Sequence, residues 1–153
     1  MADQAEKGAG RRILALDLGL RRIGLAISDE LGVTAQGLET LQRTNLREDL
    51  DRLARLVQDK QVGVILIGNP LHMSGDESRQ SGLARAFAEK LAARTGRPVT
   101  LWDERLTSVE AERVLRQSGV SRQKRSSAVD RLAAVILLSS YLDSLSVQRA
   151  GIE

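Results

Sequence analysis

Arg12-Ile13-Leu14-Ala15-Leu16-Asp17-Leu18-Gly19-Leu20-Arg21-Arg22-Ile23-Gly24-Leu25-Ala26-Ile27-Ser28 is the stretch that sets the architecture. Its two apolar runs, Arg12 to Leu18 and Ile23 to Ser28, have the composition of strands. The Gly19-Leu20-Arg21-Arg22 connection between them is short enough for a hairpin. The chain therefore starts with an antiparallel pair, and Ala35 to Leu41 supplies a weaker third strand. Beyond it the periodicity changes. Asn45 can cap a helix that carries Leu46, Leu50, Leu53, Leu56 and Val57 on one stripe, with Glu48, Asp49, Arg52, Arg55 and Lys60 elsewhere. Val62 to Ile67 is a near-continuous β-branched run, the pattern of a central strand covered on both faces. A Gly- and Pro-punctuated loop, Gly68 to Gly75, leads to a helix from about Ser78 to Arg94 with Leu83, Ala84, Phe87, Ala88 and Leu91 facing inward. Gly96 and Pro98 end that helix. Val99 to Asp103 is the next strand. Thr107, with Glu110 three residues later, opens a further helix by capping-box spacing, and Gly119 stops it. After a basic loop, Val120 to Ser126, Ser127 caps a last helix that runs to about Ser146. A hairpin and third strand followed by alternating helix and strand predict an α/β domain: a mixed sheet with helices on its faces.

Asp17 breaks the apolar pattern of the first strand. Burying an ionised carboxylate without a partner costs several kcal/mol, so one retained inside such a run calls for a cation, a metal or a cluster of hydrogen bonds. Asp17 could instead be a turn acid that accepts backbone N–H bonds ahead of Gly19. Two more acids stand at element ends. Glu104 follows Val99-Thr100-Leu101-Trp102-Asp103, and Asp130 opens the apolar stretch Leu132 to Leu138. Three such acids suggest one shared site. Carboxylates without Cys or His ligands suit hard, oxygen-seeking Mg²⁺ or Mn²⁺. In open α/β sheets ligands collect at the carboxyl ends of the strands, where Asp17, Glu104 and the loop from Asn69 to Gly75 all fall. Asp103 and Glu104 are neighbours, so within one strand they point to opposite faces and only one can join Asp17. Spacing leaves that choice open. Asp130 also has a purely structural reading, because Ser127-x-x-Asp130 is a capping arrangement and the helix dipole favours acids in a first turn. It nevertheless shares a helical stripe with Ala133, Ala134, Leu137 and Tyr141, and the two small alanines would let that helix approach the sheet closely.

The 153 residues fit one domain, expected over 12–146, with a disordered tail at 1–11 and a short tail at 147–153. Residues 1–11 are polar and unlike a signal peptide. The formal charge is +3. Arg21 and Arg22 follow the Asp17 strand, and Arg122, Lys124 and Arg125 precede Asp130, so cations gather near two of the acids as a phosphodiester site requires. The plainer reading of each is a solvated loop residue. His72, the single histidine, lies in the loop after the central strand, either idle or positioned to contact phosphate or move a proton.

Several classes are excluded or disfavoured. With no Cys there is neither a disulfide nor a thiolate metal site. The longest apolar stretch is too short to cross a bilayer, so a cytoplasmic protein without a membrane partner is expected. One Phe, one Trp and one Tyr make poor stacking platforms for single strands. No Ser-His-Asp arrangement is visible, Thr107 and Ser108 suit helix caps, and Gly19 to Gly24 lacks the Lys-Ser/Thr ending of a phosphate loop.

Four segments taken in order resemble the YqgF/RuvX family, bacterial relatives of RuvC-type Holliday-junction resolvases. They are Asp17 to Ala26, Gly68 to Gly75, Asp103 to Ser108 and Val129 to Leu138. The resemblance spans roughly Arg12 to Asp143. It implies an RNase H-like fold with a mixed five-stranded sheet and helices on both faces, and it carries the family's acidic triad onto Asp17, Glu104 and Asp130, choosing Glu104 over Asp103. The chain departs from the family pattern at Leu20, His72 and Leu132, and Ala133 and Ala134 stand where RuvC relatives add a further acid. The resemblance further implies a divalent-metal-dependent endonuclease with a two-metal site of Mg²⁺ or Mn²⁺, in which Asp17 bridges the ions and Glu104 and Asp130 complete their shells. Arg21, Arg22, His72, Arg122, Lys124 and Arg125 would contact the nucleic-acid backbone. The substrates it implies are the 5′ end of precursor 16S ribosomal RNA or, alternatively, branched DNA such as a Holliday junction. The oligomeric state is monomer or homodimer. A non-catalytic RNA- or ribosome-binding factor is the alternative from another class, and an intact triad counts against it. Actin-like ATPases share the Asp-x-Gly hairpin but need two such domains.

Overall fold

The structure, a computed structural model, describes residues 10–69, 78–103 and 127–152, with side chains to residue 148. Strands β1 (Arg12–Leu18) and β2 (Arg22–Ser28) form the expected hairpin. Its turn closes through a bond from the Gly19 N–H to the Arg22 carbonyl, 2.9 Å long. A Cβ at Gly19 would lie 2.6 Å from that same carbonyl oxygen, so the turn needs glycine here because of a close approach. Strand β3 (Ala35–Gln42) pairs antiparallel with β2, while β4 (Val62–Asn69) pairs parallel with β1, and β5 (Val99–Asp103) parallel with β4. The sheet order is β3-β2-β1-β4-β5. The strand with the most continuous apolar run after β1 is thus interior, as its composition demands.

Strand alternation divides the core in two. One face carries Leu14, Leu16, Ile23, Leu25, Ile65 and Ile67 and is covered by α1 (Leu46–Asp59) and α2 (Arg79–Thr95). The other carries Ile13, Ala15, Ala26 and Leu66 and is covered by α3 (Ser127–Ile152) through Ala134, Leu137, Leu138 and Leu142. Both helices on the first face start as their sequences require. The Asn45 side chain accepts from the Glu48 N–H, and that of Ser78 from the Ser81 N–H. Gly96 ends α2 in the left-handed conformation at φ 70°.

Three expectations need correction. Leu83 faces solvent, and Ser81 takes the inward position on α2, where its hydroxyl donates to the Ser78 carbonyl. Arg22 belongs to β2 and not to the connection before it. Helix α3 continues to Ile152, past the expected end near Ser146, so residues 147–152 extend the helix instead of forming a separate tail. Nothing in 147–152 breaks a helix until Gly151, and propensity carries it on. The expected 1–11 tail up to residue 9, the helix opened by Thr107, its stop at Gly119 and the Val120 to Ser126 loop lie outside the described residues. Among the described residues no helix is long and apolar enough to cross a membrane.

Candidate metal and phosphate site

Register decides what surrounds Asp17. It shares strand parity with Ile13 and Ala15, so its side chain is on the α3 face. Its antiparallel partner is Gly24. Continuing the β1–β4 register one residue past Leu16 and Ile67 sets Gly68 on its other side, and Gly68 in turn pairs with Trp102. The acid is therefore flanked across the sheet by two residues with no side chain. The missing side chains leave room for another backbone beside this acid, which is 8% exposed.

Asp130 enters this space from α3. A Cβ built on Gly24 would lie 2.1 Å from the Asp130 carbonyl oxygen and 3.4 Å from the Asp130 Cβ, so the first turn of α3 rests directly on the β2 backbone. Directly opposed residues of an antiparallel pair have Cβ atoms about 5 Å apart, which puts the Cβ atoms of Asp17 and Asp130 within about 9 Å of one another. Both acids are 8% exposed. The helix is pinned there by more than the glycine. The Thr40 hydroxyl donates to the Ser127 carbonyl at 2.7 Å, and the Arg131 Nε to the Leu38 carbonyl at 3.0 Å.

Arg22 completes the cluster. Its Nε donates to Asp130 Oδ2 at 2.7 Å, with the side chains 25% and 11% exposed respectively. Such a pair is neither a freely solvated surface bridge nor fully desolvated, and it supplies the compensation that a carboxylate in a helix–sheet seam requires. Arg21 is exposed at the tip of the same hairpin.

A second charged assembly holds that hairpin from the opposite side, and the sequence reading missed it. Arg43 donates from Nη1 to the Gly19 carbonyl at 2.8 Å and from Nε to Asp49 Oδ2 at 3.2 Å, and its guanidinium lies 5.6 Å from the centre of the Phe87 ring. The Arg43 N–H donates to the Arg21 carbonyl. Asp49 is buried and also accepts from the Thr44 N–H. Asp49 had been placed off the apolar stripe of α1, yet it stands one turn before Leu53. The same argument that singled out Asp130 above its alanines could have found it.

Trp102 forms the far wall of the α3 face. Its ring meets Tyr141 edge-on, with centroids 5.1 Å apart and planes at 85°, and among the described residues its buried Nε1 has no acceptor. Since Trp102 packs on the α3 side while Leu101 packs on the other, Asp103 falls by alternation on the face away from Asp17.

The structure thus brings together Asp17, Asp130 and Arg22, whereas Glu104, His72, Arg122, Lys124 and Arg125 lie outside the described residues. Two buried carboxylates facing one seam, in a chain without Cys and with its one His elsewhere in sequence, form a donor set suited to a hard divalent cation. Among the described residues no third acid or His joins them to make a larger cluster.

Residues 11–144 match the family model described as "RuvX: Holliday junction resolvase". The chain belongs to the RuvX family. Among RuvX relatives, a Koribacter versatilis protein named "Putative pre-16S rRNA nuclease" is 51% identical over 138 residues, 90% of each chain. One of the same name from Bacillus subtilis is 44% identical over 137 residues, 88% of this chain and 99% of its own. The RuvX fold is shared with the solved structure "T. thermophilus RuvC in complex with Holliday junction substrate", at a TM-score of 0.57 and 14% identity over 88% of this chain and 96% of that one. It is shared also with the fowlpox virus Holliday junction resolvase, at a TM-score of 0.50 and 16% identity over 87% and 99%. At such identities the likeness is one of fold, and it agrees with the RNase H-like mixed sheet expected from the sequence.

Proposed function

We propose that this RuvX-family chain is a divalent-metal-dependent endonuclease that hydrolyses phosphodiester bonds and processes the 5′ end of precursor 16S ribosomal RNA. The observation that carries this reading is the meeting of buried Asp17 and Asp130 across Gly24, in a chain 51% identical to a relative with the pre-16S rRNA nuclease name. Asp17, Asp130 and Glu104 would hold Mg²⁺ or Mn²⁺. Glu104 is taken as the third ligand from the family resemblance, and the facing of Asp103 away from Asp17 supports that choice. A bound pair of such ions supplies an activated water and neutralises the leaving oxygen.

The chain's own residues do the rest. Asp17 and Asp130 present anionic oxygens from a rigid strand end and a pinned helix turn, so loading need not move either backbone. Arg21 and Arg22, on the hairpin that borders the acids, lie where a phosphodiester backbone would pass. Arg122, Lys124 and Arg125 add positive charge from the connection that leads to Asp130, and His72 contacts phosphate. These contacts position the strand without reading its sequence.

Incubating the purified chain with precursor 16S RNA and, separately, with a four-way DNA junction tests the reading. Expected is Mg²⁺- or Mn²⁺-dependent cleavage of the RNA that is absent in EDTA and lost in Asp17→Asn. Preferential, symmetric cutting of the junction would favour the second reading, junction resolution, which rests on the shared fold with the RuvC complex. Binding of RNA without any cleavage would make the chain a non-catalytic RNA-binding factor.

A further inference from the structure

Asp130 has a resident cation already. Its Oδ2 accepts from Arg22 Nε at 2.7 Å, and that oxygen belongs to one of the two described carboxylates that a divalent ion would need. The two partners of this pair are held very differently. Asp130 cannot retreat: its backbone abuts Gly24, where an added Cβ would lie 2.1 Å from the Asp130 carbonyl, and the neighbouring turn is tied down through Thr40 to Ser127 and Arg131 to Leu38. Arg22 hangs on a long side chain with several rotatable bonds, at the edge of the hairpin and a quarter exposed. Of the two, only Arg22 can yield.

We infer that Arg22 is the built-in counter-cation of Asp130, which a divalent ion must displace, so that Arg22 sets the metal affinity of the site while keeping the ion-free seam folded. This inference rests on the proposed role of Asp130 as a metal ligand. An exchange of one cation for another leaves Asp130 facing positive charge in both states, so the protein need not choose between stability without metal and occupancy with it. The displaced guanidinium remains at the site's rim, where the phosphodiester backbone passes, and its charge is used again there. Arg22 is thereby a positioning residue and not one that reacts.

The test is the Mn²⁺ affinity of the full chain by isothermal titration calorimetry, in wild type, Arg22→Gln, Arg22→Lys and Asp130→Asn. A residue with a merely supporting role would weaken Mn²⁺ binding when removed. Displacement predicts the reverse: Arg22→Gln binds Mn²⁺ about three- to tenfold more tightly, the range expected when a partly exposed competing ion pair is removed. Arg22→Lys, which keeps the charge but not the guanidinium geometry, falls between the two. In EDTA, Arg22→Gln melts about 2–5 °C below wild type, and Mn²⁺ raises its melting temperature by more than it raises that of wild type. Equal or weaker Mn²⁺ binding in Arg22→Gln, alongside a loss of binding in Asp130→Asn, overturns the inference and leaves the metal-site reading standing. Undiminished binding in Asp130→Asn, or no Mn²⁺ binding by wild type and Arg22→Gln alike, overturns both. Arg22→Lys at full helical content keeps the comparison valid if the Gln variant misfolds.

Discussion

Single carboxylates in this chain acquire distinct roles from what stands beside them. Asp17 lies among apolar strand residues with a glycine as its cross-strand partner, whereas Asp130 meets a guanidinium at 2.7 Å. Asn at either position should reduce cleavage by at least about 100-fold, because an ion pair that shares ligands loses its geometry when one ligand is removed. Asp130→Asn deprives Arg22 of its partner and should lower stability in EDTA by about 1 kcal/mol relative to wild type, as read from denaturation midpoints. Asp29 shows a third environment. It accepts from the Val33 N–H at 2.7 Å and the Thr34 N–H at 3.1 Å, and these bonds, that from Thr34 first, hold its pKa below the ordinary 3.8. The ionised form is thus preferred in the folded state. The support it gives the β2–β3 turn is present above the ordinary value and disappears as pH falls through the lowered one. Carboxyl chemical shifts in an acid titration should place the Asp29 midpoint below 3.8, with the Val33 and Thr34 amides tracking it. A midpoint at or above 3.8 would contradict the turn geometry.

Elements meet in this protein where side chains are missing. Helix α3 reaches the sheet over Gly24 and Gly37, but the two glycines face different obstacles. A Cβ at Gly24 would strike the Asp130 carbonyl at 2.1 Å, and backbone cannot step aside. At Gly37 it would meet the Arg131 Cγ at 2.5 Å, in a side chain that can turn aside at the cost of its bond to the Leu38 carbonyl. Gly24→Ala should therefore cost about 3 kcal/mol or more and push Asp130 away from Asp17, with cleavage falling well beyond the loss in folded protein. Gly37→Ala should cost about 1 kcal/mol and leave activity near normal. Thermal melts and specific activity per folded molecule check both. These contacts also show what sequence could and could not convey. The described strands and helices were legible because local periodicity, Asn45, Ser78 and Gly96 specify them without reference to distant residues. The burial of an acid at Asp17 was legible because it interrupts such a pattern. The docking of α3 on Gly24, the Arg22 to Asp130 pair spanning 108 positions of sequence and the Arg43 bond to Gly19 depend on which strand lies beside which, and local pattern carries no such information. Leu83 was misplaced for a related reason: its stripe on α2 is broad, and the sheet underneath decided which edge of it is covered.

At the scale of the whole molecule, the question is how a polyanion is held against the α3 side of the sheet and how many sites act together. Arg21 and Arg22 on the hairpin, and Arg122, Lys124 and Arg125 in the sequence before Asp130, are proposed to hold the backbone without chemistry. Replacing Arg122, Lys124 and Arg125 together with Ala should weaken RNA binding alike for all sequences and flatten its log–log salt dependence by about one unit per lost contact. An unchanged slope would make that connection a solvated linker.

The number of sites separates the two candidate substrates. Resolving a symmetric four-way junction needs two coordinated cuts, hence two Asp17 sites related by a two-fold axis, whereas trimming a 5′ end needs one. The last helix spends its apolar residues Ala134, Leu137, Leu138 and Leu142 on the sheet of its own chain and leaves Leu132 and Val147 exposed. The exposed large apolar residues on the described surface include Leu20, Leu31, Val33, Leu83 and Val147, and these are spread over different elements. A stable homodimer of ordinary size draws on a contiguous patch of about 800 Å² per partner, which these side chains of the described residues do not provide by themselves. A chain that trims a 5′ end with one site is expected to cut precursor RNA as a monomer at micromolar concentration. Sedimentation velocity with and without a four-way junction, run beside the cleavage assay, is the decisive measurement. A dimer that forms on the junction and cuts it symmetrically would show that the substrate itself brings two sites together, and RNA processing would then lose its place as the leading function.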